Sequence, residues 1–340
     1  MENIYYSFEN IVSVDNLFLA WREFVKGKRN KKDVQVFSFY LMNNILALHK
    51  DLVNHTYKHG GYQEFKINDP KPRTIHKASV RDRLLHHAVY RILYPFFDKK
   101  FISDFFSCRN NKGTHKAINR FKDFNYIVSK NNTKTCWILK CDIKKFFASV
   151  DQEILIKILE NRLLRRFASR NDGENILNLL CEIIFSFKPN GLPLGNLTSQ
   201  LFANVYLNEF DQFVKHKLKV KYYIRYADDF VFFSRDKNML KDLIPQIQNF
   251  LQNDLKLTLH PDKIFIKTLY SGVDFLGWIN FPDHRILRTK IKNRMFRIIK
   301  DNPKIETLNS YLGLLKHGNT HKIKAKISSW RTGLHRFLIF

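Results

Sequence analysis

Two adjacent carboxylates interrupt one of the most apolar stretches of the sequence. Asp228 and Asp229 lie within YIRYADDFVFFS, residues 223–234. The residues before them alternate as in a strand and a second apolar run begins at Phe230, so the pattern predicts a hairpin with Ala227 and both acids at its tip. Ionised carboxylates among apolar side chains are costly unless a cation compensates them, and oxygen ligands favour magnesium or manganese.

A third acid stands in a different apolar run. The stretch WILKCDIKKFFASV, residues 137–150, predicts a central strand that holds Asp142 near its end, followed by a helix from about Asp151. Carboxylates on neighbouring strands can hold two divalent ions for an in-line displacement, in which a 3′-hydroxyl attacks and pyrophosphate leaves. An Asp-Asp pair alone is usually turn chemistry. The order of acid strand, Gly/Pro loop and acid hairpin favours catalysis.

The charge balance indicates a polyanionic partner. The chain of 340 residues has 58 Lys and Arg against 31 Asp and Glu, a formal net charge of +27. Such a charge opposes compaction unless a polyanion shares the surface, so nucleic acid is the expected partner. The apolar runs are too short to cross a bilayer, and no membrane partner is expected.

The N-terminal residues and the cysteines favour a cytoplasmic location. The opening MENIYYSFEN carries acids and no basic region before an apolar stretch, so no secretory signal is expected. Cys108, Cys136, Cys141 and Cys181 have no C-x-x-C spacing. This spacing predicts reduced thiols rather than disulfides or a zinc site.

Apolar periodicity predicts the elements that must position the acids. Residues 60–73 predict strands and turns that reach into solvent, residues 80–97 a buried helix, and residues 197–213 a helix beneath the strands. Beyond Ile286 the pattern predicts helices with one apolar face and one strongly basic face. Such a basic face is suited to clamping a polyanion.

The motifs resemble those of reverse transcriptases. Tyr226-Ala227-Asp228-Asp229 matches that family's Tyr-x-Asp-Asp box, and the similarity runs from about residue 60 to 277. The DIKKFF block that starts at Asp142 is similar to the family's first metal-binding block. The resemblance implies that the three aspartates are catalytic and use two Mg²⁺ ions, with Mn²⁺ as the alternative.

The same block supplies two further assignments. The resemblance implies that Asp142, Ile143 and Asp228 are the metal-ligating positions. It also implies that Phe147 contacts the incoming nucleotide as a bulky gate that excludes a ribose 2′-hydroxyl. Without Asp142 five residues earlier, Phe147 would be interpreted as an ordinary core aromatic.

The sequence GLPLGNLTSQ, residues 191–200, resembles the block that lies under the templating base pair. Group II intron and most bacterial relatives have Pro-Gln-Gly and later Ser-Pro in this block, and Leu194 and Gln200 replace that Gln and Pro. The variant Leu-Gly-Asn-Leu-Thr-Ser-Gln is similar to the enzymes of diversity-generating retroelements. The resemblance implies that Leu194 and Gly195 contact the template or primer and that Gln200 contacts the nucleotide.

Smaller similarities imply the remaining site residues. Lys263 matches the lysine thought to protonate the departing pyrophosphate, although a solvated surface lysine is an equal alternative. Arg73, assisted by Lys71, is suited to a triphosphate because a guanidinium donates two parallel hydrogen bonds. The further template or primer contacts that the resemblance implies are Arg109, Phe275, Leu276 and Gly277.

The resemblance implies an α+β right-hand polymerase fold. The predicted domains are an N-terminal extension (1–30), mainly fingers (31–140), mainly palm with a fingers insertion before Gly191 (141–282), and a short basic helical thumb (283–340). The palm is expected to be an antiparallel sheet with helices. No zinc finger, His-Asn-His endonuclease pattern or ribonuclease H set of acids follows.

The implied reaction is RNA-templated addition of deoxynucleotides to a primer 3′ end. Similarity to diversity-generating retroelements implies cDNA copied from a template-repeat RNA with errors opposite adenine, mutagenic retrohoming, and a small basic helical accessory protein. The alternatives are a reverse transcriptase of another retroelement or defence system (group II intron-like, retron, CRISPR-associated) and a catalytically dead RNA-binding module. Fidelity, template identity, priming, oligomeric state and the role of residues 1–30 stay open.

Overall fold

A computed structural model of the protein describes residues 7–69, 71–164, 170–301 and 304–327. Its helices are labelled α1 Phe8–Val12, α2 Val14–Phe24, α3 Lys32–Phe39, α4 Leu41–Val53, α5 Val80–Asp98, α6 Thr114–Val128, α7 Phe146–Ser149, α8 Gln152–Leu163, α9 Arg170–Phe185, α10 Leu197–Gln212, α11 Lys237–Leu255, α12 Thr289–Asp301 and α13 Ile305–Leu315. Its strands are labelled β1 Tyr62–Ile67, β2 Arg73–Ala78, β3 Trp137–Asp142, β4 Tyr223–Tyr226, β5 Asp229–Ser234, β6 Phe265–Thr268, β7 Val273–Phe275, β8 Trp278–Asn280 and β9 Arg285–Leu287.

The chain divides into two compact units, each built from separate stretches of sequence. The first unit comprises Met1–Ser103, Ile143–Lys219 and Gln246–His260. The second comprises Asp104–Asp142, Val220–Pro245 and Pro261–Phe340. The predicted boundaries of fingers, palm and thumb divide the chain differently and stay a prediction.

The first unit has a helical core centred on α5. Leu84, Leu85, Ala88, Val89 and Leu93 are fully buried along one face of this helix, which confirms the helix predicted from residues 80–97. The helix begins at Ser79, whose hydroxyl accepts a hydrogen bond from the backbone N–H of Asp82. Ser79 in turn donates to the Asp82 carboxylate, which gives a reciprocal cap of the first turn.

The predicted strands in residues 60–73 are also confirmed. β1 and β2 pair antiparallel from Tyr62 opposite Ala78 to Ile67 opposite Arg73. The middle residues of β1 are exposed, as expected for a hairpin that extends into solvent. The predicted helix at residues 197–213 is α10, most of whose side chains are buried in the first unit.

The second unit contains a four-stranded antiparallel sheet in the order β4-β5-β3-β6. The central residues of β5 form an apolar run that is buried on both faces, and Ile224, Val231 and Phe232 are fully buried. The predicted strand at residues 137–150 ends at Asp142, as expected. The predicted hairpin forms, but Asp229 is the first paired residue of β5 rather than part of the turn.

A second, three-stranded antiparallel sheet has the order β7-β8-β9. It shares a hydrophobic cluster with α6 and α12, and the cluster includes Phe121, Trp278 and Met295. The apolar face predicted beyond Ile286 is confirmed, because Met295 and Ile299 are buried while Lys290, Arg297 and Lys300 of α12 are exposed. The last part of the predicted thumb, residues 328–340, lies outside the described residues.

Two predicted absences can be compared with the structure. All four cysteines are free thiols, which confirms the prediction of no disulfide. Burial raises the pKa of Cys136 to about 12, so this thiol stays protonated at neutral pH. Among the described helices, none is long and apolar enough to cross a membrane.

Candidate active site

The acidic hairpin is held in an unusual backbone conformation. Ala227 has a φ of 55°, in the left-handed region that a residue with a Cβ rarely adopts. Tyr226 pairs with Asp229, so Ala227 and Asp228 form a two-residue turn between β4 and β5. The turn therefore carries Asp228 at its second position, where its side chain is half-buried.

The register of the central strands brings two of the predicted acids together. Asp142, the last residue of β3, lies directly opposite Asp229, the first residue of β5. Residues that face each other across antiparallel strands project from the same face of the sheet. The Asp142 and Asp229 side chains are 16% and 19% exposed, so both are largely shielded from solvent.

Two lysines neutralise these carboxylates. Lys263, in a short 3₁₀ turn at Pro261–Lys263, places its Nζ 2.7 Å from Oδ1 of Asp142. Lys140 places its Nζ 3.1 Å from Oδ2 of Asp229. Lys263 was predicted at the site, and the structure sets it against Asp142, whose catalytic role stays a prediction. Sequence reasoning missed Lys140, although its position two residues before Asp142 puts it on the same face of β3.

The environment of Asp229 disfavours its charged form. Burial raises the pKa of Asp229 to about 7, the nearby Asp142 and Asp228 carboxylates add to the increase, and Lys140 opposes it. The Oδ1 atom of Asp229 is buried and has no hydrogen-bond partner among the described residues. A buried carboxylate oxygen without a partner is costly, and a bound cation would remove that cost.

The chemistry of this donor set fits a hard divalent cation. Asp142 and Asp229 offer carboxylate oxygens from adjacent strands, and one of these oxygens lacks a partner. In the arrangement observed here, no group of three or more Asp, Glu, His or Cys side chains among the described residues is close enough together to hold a metal ion. In this arrangement the Asp142 and Asp229 carboxylates each pair with a lysine ammonium group.

Arg225 is a second residue that sequence reasoning missed. Its side chain is fully buried, its guanidinium lies 3.9 Å from the centre of the Phe105 ring, and its Nη1 donates to the carbonyl of Ala227 at 3.1 Å. The backbone of β4 also bonds to residues 104–106, since the Arg225 N–H donates to Asp104. The arginine thus supports the strained turn that carries Asp228. The sequence feature that could have pointed to Arg225 is a charged residue inside an otherwise apolar strand.

In the first unit, the predicted gate and the Gly/Pro loop are joined. Phe147 lies half-buried in α7, and its carbonyl accepts a hydrogen bond from the Leu192 N–H at 2.7 Å. Gly191 has a φ of 87°, and a Cβ there would meet the Phe147 carbonyl oxygen at 2.7 Å. Only glycine permits this approach. Gln152 also donates to the Gly191 carbonyl at 2.9 Å and fixes the loop.

The block at residues 194–200 packs on the strand that carries Arg73. The His76 N–H donates to the Leu194 carbonyl at 2.9 Å, and the Asn196 amide donates to the His76 carbonyl at 2.9 Å. A Cβ at Gly195 would meet Ile75 at 2.7 Å, which explains a glycine at this position. Leu194 and Gly195 therefore lie against β2.

The remaining nucleotide-binding predictions fall in the first unit. Arg73 and Lys71 are exposed at the start of β2 and in the turn before it. Gln200 is half-buried in the first turn of α10. Ile143, a predicted metal-ligating position in the same unit, is buried and forms a backbone bridge to Leu259. These assignments stay predictions.

The predicted template and primer contacts in the second unit have different environments. Leu276 and Gly277 have φ angles of 50° and 87° and form the tight turn between β7 and β8. Phe275 is fully buried and its ring stacks on Phe121 at 5.3 Å, so its side chain packs in the core, and the predicted contact of this residue with template or primer stays a prediction. Arg109 donates to the Phe105 carbonyl at 3.1 Å.

Comparison with known proteins identifies the family. The family model described as "Reverse transcriptase (RNA-dependent DNA polymerase)" matches residues 60–280, well over half of the chain. The protein belongs to the reverse transcriptase family and is an RNA-directed DNA polymerase. This confirms the predicted enzyme class and the predicted family.

Individual relatives are distant. The chain is 23% identical to Protein YkfC of Escherichia coli (strain K12) over 280 residues, 70% of this chain and 69% of that protein. It is 23% identical to Group II intron-encoded protein LtrA of Lactococcus lactis subsp. cremoris over 320 residues, 74% of this chain but only 50% of that protein. The chain therefore spans only part of the length of each of these relatives.

A solved structure supports the fold. Telomerase from Candida tropicalis, determined in complex with a TWJ fragment of telomeric RNA, is similar with a TM-score of 0.53 at 12% identity. The similarity covers 84% of this chain and 57% of the telomerase chain. It confirms the predicted α+β right-hand polymerase fold.

Proposed function

We propose that this reverse transcriptase copies a template-repeat RNA into cDNA with frequent errors at template adenines, as part of a diversity-generating retroelement. The supporting observation is the LGNLTSQ block at residues 194–200, which has Leu194 where most bacterial relatives have Gln. The Leu194 carbonyl is bonded to β2 through the backbone, so this contact does not depend on the side chain at position 194.

The proposed chemistry assigns a role to each group at the site. Asp142, Ile143 and Asp228 would hold two Mg²⁺ ions, with Asp229 as the third catalytic carboxylate, and the ions would supply Lewis acidity for attack by the primer 3′-hydroxyl. Lys263, 2.7 Å from Asp142, is placed to donate a proton to the departing pyrophosphate once that carboxylate is engaged elsewhere. Phe147 excludes the ribose 2′-hydroxyl.

The proposed partners follow from charge and from the class. The formal charge of +27 suits an RNA template with a DNA primer or cDNA. Arg73, with Lys71, is the proposed ligand of the incoming deoxynucleoside triphosphate. A small basic helical accessory protein is the further partner that this class implies, and the proposed location is the cytoplasm.

Primer extension on a defined RNA template, with magnesium and all four deoxynucleotides, followed by sequencing of the product, tests the proposal. cDNA with errors concentrated opposite adenine is the expected result. Accurate cDNA would reject the diversity-generating assignment and favour the group II intron or retron class. Absence of cDNA, with and without candidate accessory proteins, would favour an RNA-binding module.

A pair of variants isolates the role of position 194. Leu194→Gln restores the amide that most bacterial relatives have and is expected to lower misincorporation opposite adenine severalfold. Leu194→Met changes shape without adding an amide and is expected to keep the error spectrum of the wild type. An equal error spectrum in all three proteins would separate this position from fidelity.

A further inference from the structure

The ammonium group of Lys140 contacts two oxygen atoms that belong to other strands. Its Nζ lies 3.1 Å from Oδ2 of Asp229 and donates to the backbone carbonyl of Asp274 at 2.9 Å. Its side chain is only 12% exposed, so the ammonium is held between these two oxygens. The same ammonium lies 5.9 Å from the centre of the Phe275 ring.

The two acceptors belong to different sheets of the second unit. Asp229 begins β5 of the four-stranded sheet, whereas Asp274 is the middle residue of β7 in the three-stranded sheet. β7 leads directly into the Leu276–Gly277 turn. Lys140 therefore links the acidic hairpin to the strand that carries this turn.

The far side of β7 is fixed by a separate ion pair. The Asp274 carboxylate accepts from Arg288 at 3.0 Å, which leaves its carbonyl for Lys140. A Cβ at Gly277 would meet Ile291 at 2.5 Å, so the turn also packs closely against α12. The contact with Lys140 is thus one of the links between this strand and Asp229.

We propose that Lys140 is a positioning residue that holds the Asp229 carboxylate and the β7–β8 turn in a fixed relation during primer extension. The proposal rests on the proposed function, in which Asp229 is catalytic, and on the predicted contact of Leu276 and Gly277 with the template or primer. A lysine is suited to this role because one ammonium group can donate to a carboxylate and a carbonyl at the same time. The reacting groups must be placed within a fraction of an ångström, so a loosened link would slow chemistry more than binding.

The experiment compares Lys140→Met and Lys140→Arg with wild type in single-nucleotide primer extension. Lys140→Met is expected to lower kcat by about 10–100-fold, the usual cost of losing a group that orients a ligand at an active site. The KM for deoxynucleotide and the Kd for primer-template are expected to change less than threefold, because neither is bound by Lys140. Lys140→Arg is expected to recover most of kcat.

A matched control separates this role from a loss of charge. Lys267, in β6 of the same sheet, is exposed and lies over the Phe265 ring at 5.1 Å. Lys267→Met removes the same charge and is expected to keep kcat within twofold of wild type. A kcat that Lys140→Met leaves unchanged would overturn the proposal, as would an equal loss in both variants.

A second measurement does not depend on activity. If Lys140 pairs with Asp229, Lys140→Met lowers the melting temperature of the wild-type chain but has little effect in a chain that also carries Asp229→Asn. Equal shifts in both backgrounds would overturn the proposed contact even if the wild type is active. A wild type without activity but with this coupling would instead reject the proposed function and leave the Lys140 contact intact.

Discussion

Two buried aspartates in this protein have opposite surroundings. Asp82, in the first unit, accepts hydrogen bonds from the Tyr57 hydroxyl at 2.7 Å, the Ser79 hydroxyl at 2.7 Å and the Gly60 N–H at 3.2 Å. Asp229, in the second unit, has one ion pair with Lys140 and an Oδ1 atom with no partner among the described residues. Hydrogen bonds from the protein therefore satisfy the Asp82 carboxylate, whereas one oxygen of the Asp229 carboxylate has no partner among the described residues.

This difference is the one expected between a structural carboxylate and a carboxylate that binds a cation. The groups around Asp82 cap a helix and order a loop, and the contact with this carboxylate, together with burial, raises the pKa of Tyr57. At Asp229, burial and neighbouring acids raise the pKa to about 7. A carboxylate with too few hydrogen-bond or ionic partners lowers the stability of the folded state, but it can bind a cation.

The largest expected effect is the loss of synthesis in Asp228→Asn. An amide cannot replace a carboxylate as a ligand for divalent ions, so primer extension is expected to fall at least about 10³-fold. RNA binding is expected to stay within about twofold, because many Lys and Arg side chains hold the duplex. Extension assays and filter binding measure the two quantities.

Asp236→Asn is the control for this prediction. Asp236 is an exposed acid just beyond β5, where it accepts from the Asn238 N–H. Normal extension is expected in this variant. Wild-type activity in Asp228→Asn would contradict the assignment of the hairpin as the catalytic centre.

Asp82→Ala is expected to affect stability instead of chemistry. The change leaves the hydroxyl groups of Tyr57 and Ser79 and the Gly60 N–H without their acceptor, which costs about 2–4 kcal/mol of unfolding free energy. Thermal unfolding measures the loss. Activity per folded molecule, assayed well below the melting temperature, is expected to match that of the wild type. A specific loss of activity in Asp82→Ala would mean that Asp82 and Asp229 do not differ in role as described.

The adjacent aromatic residues Phe146 and Phe147 show the same contrast between an expected structural role and an expected functional role. Phe146 is buried, whereas Phe147 is half-buried. Phe147→Ala is expected to reduce discrimination against ribonucleotides about tenfold or more, by opening space for a 2′-hydroxyl. Competition between deoxynucleotides and ribonucleotides measures this ratio.

Phe146→Ala serves as the comparison variant. Loss of a buried ring is expected to lower stability by about 3–5 kcal/mol without changing sugar discrimination. A Phe147→Ala enzyme that remains as strict for deoxynucleotides as wild type would remove the gate assignment.

The smallest expected effect is a pH-dependent gain of stability in Asp229→Asn. In the folded chain the pKa of Asp229 lies at about 7, above its ordinary value of 3.8. Between these values the folded state holds a proton that the unfolded state has lost, so wild-type stability falls as pH rises through this window. Above pH 7 the penalty is complete.

Asparagine at this position removes the titration. In the presence of a chelator, Asp229→Asn is expected to be about 1–2 kcal/mol more stable than wild type near pH 8, and the difference should disappear near pH 4. Calorimetric melting at both pH values measures it. A difference that does not vary with pH would contradict the raised pKa.

Local patterns in the sequence were sufficient for the elements and the acids. Alternation and apolar runs located β3, the β4–β5 hairpin, α5 and α10, because side-chain periodicity follows directly from backbone geometry. The Tyr-Ala-Asp-Asp and Asp-Ile-Lys-Lys-Phe-Phe motifs indicated the family. Net charge indicated a nucleic-acid partner.

Only the tertiary structure decided which groups meet. The register that sets Asp142 opposite Asp229 depends on the pairing of β3 with β5, which are separated along the chain by α7–α10 and β4. The lysines that neutralise these acids also depend on that pairing. Phe275 looked like a primer contact in a motif, yet packing against Phe121 buries it. Sequence patterns encode local geometry, whereas such contacts result from long-range packing that no local period specifies.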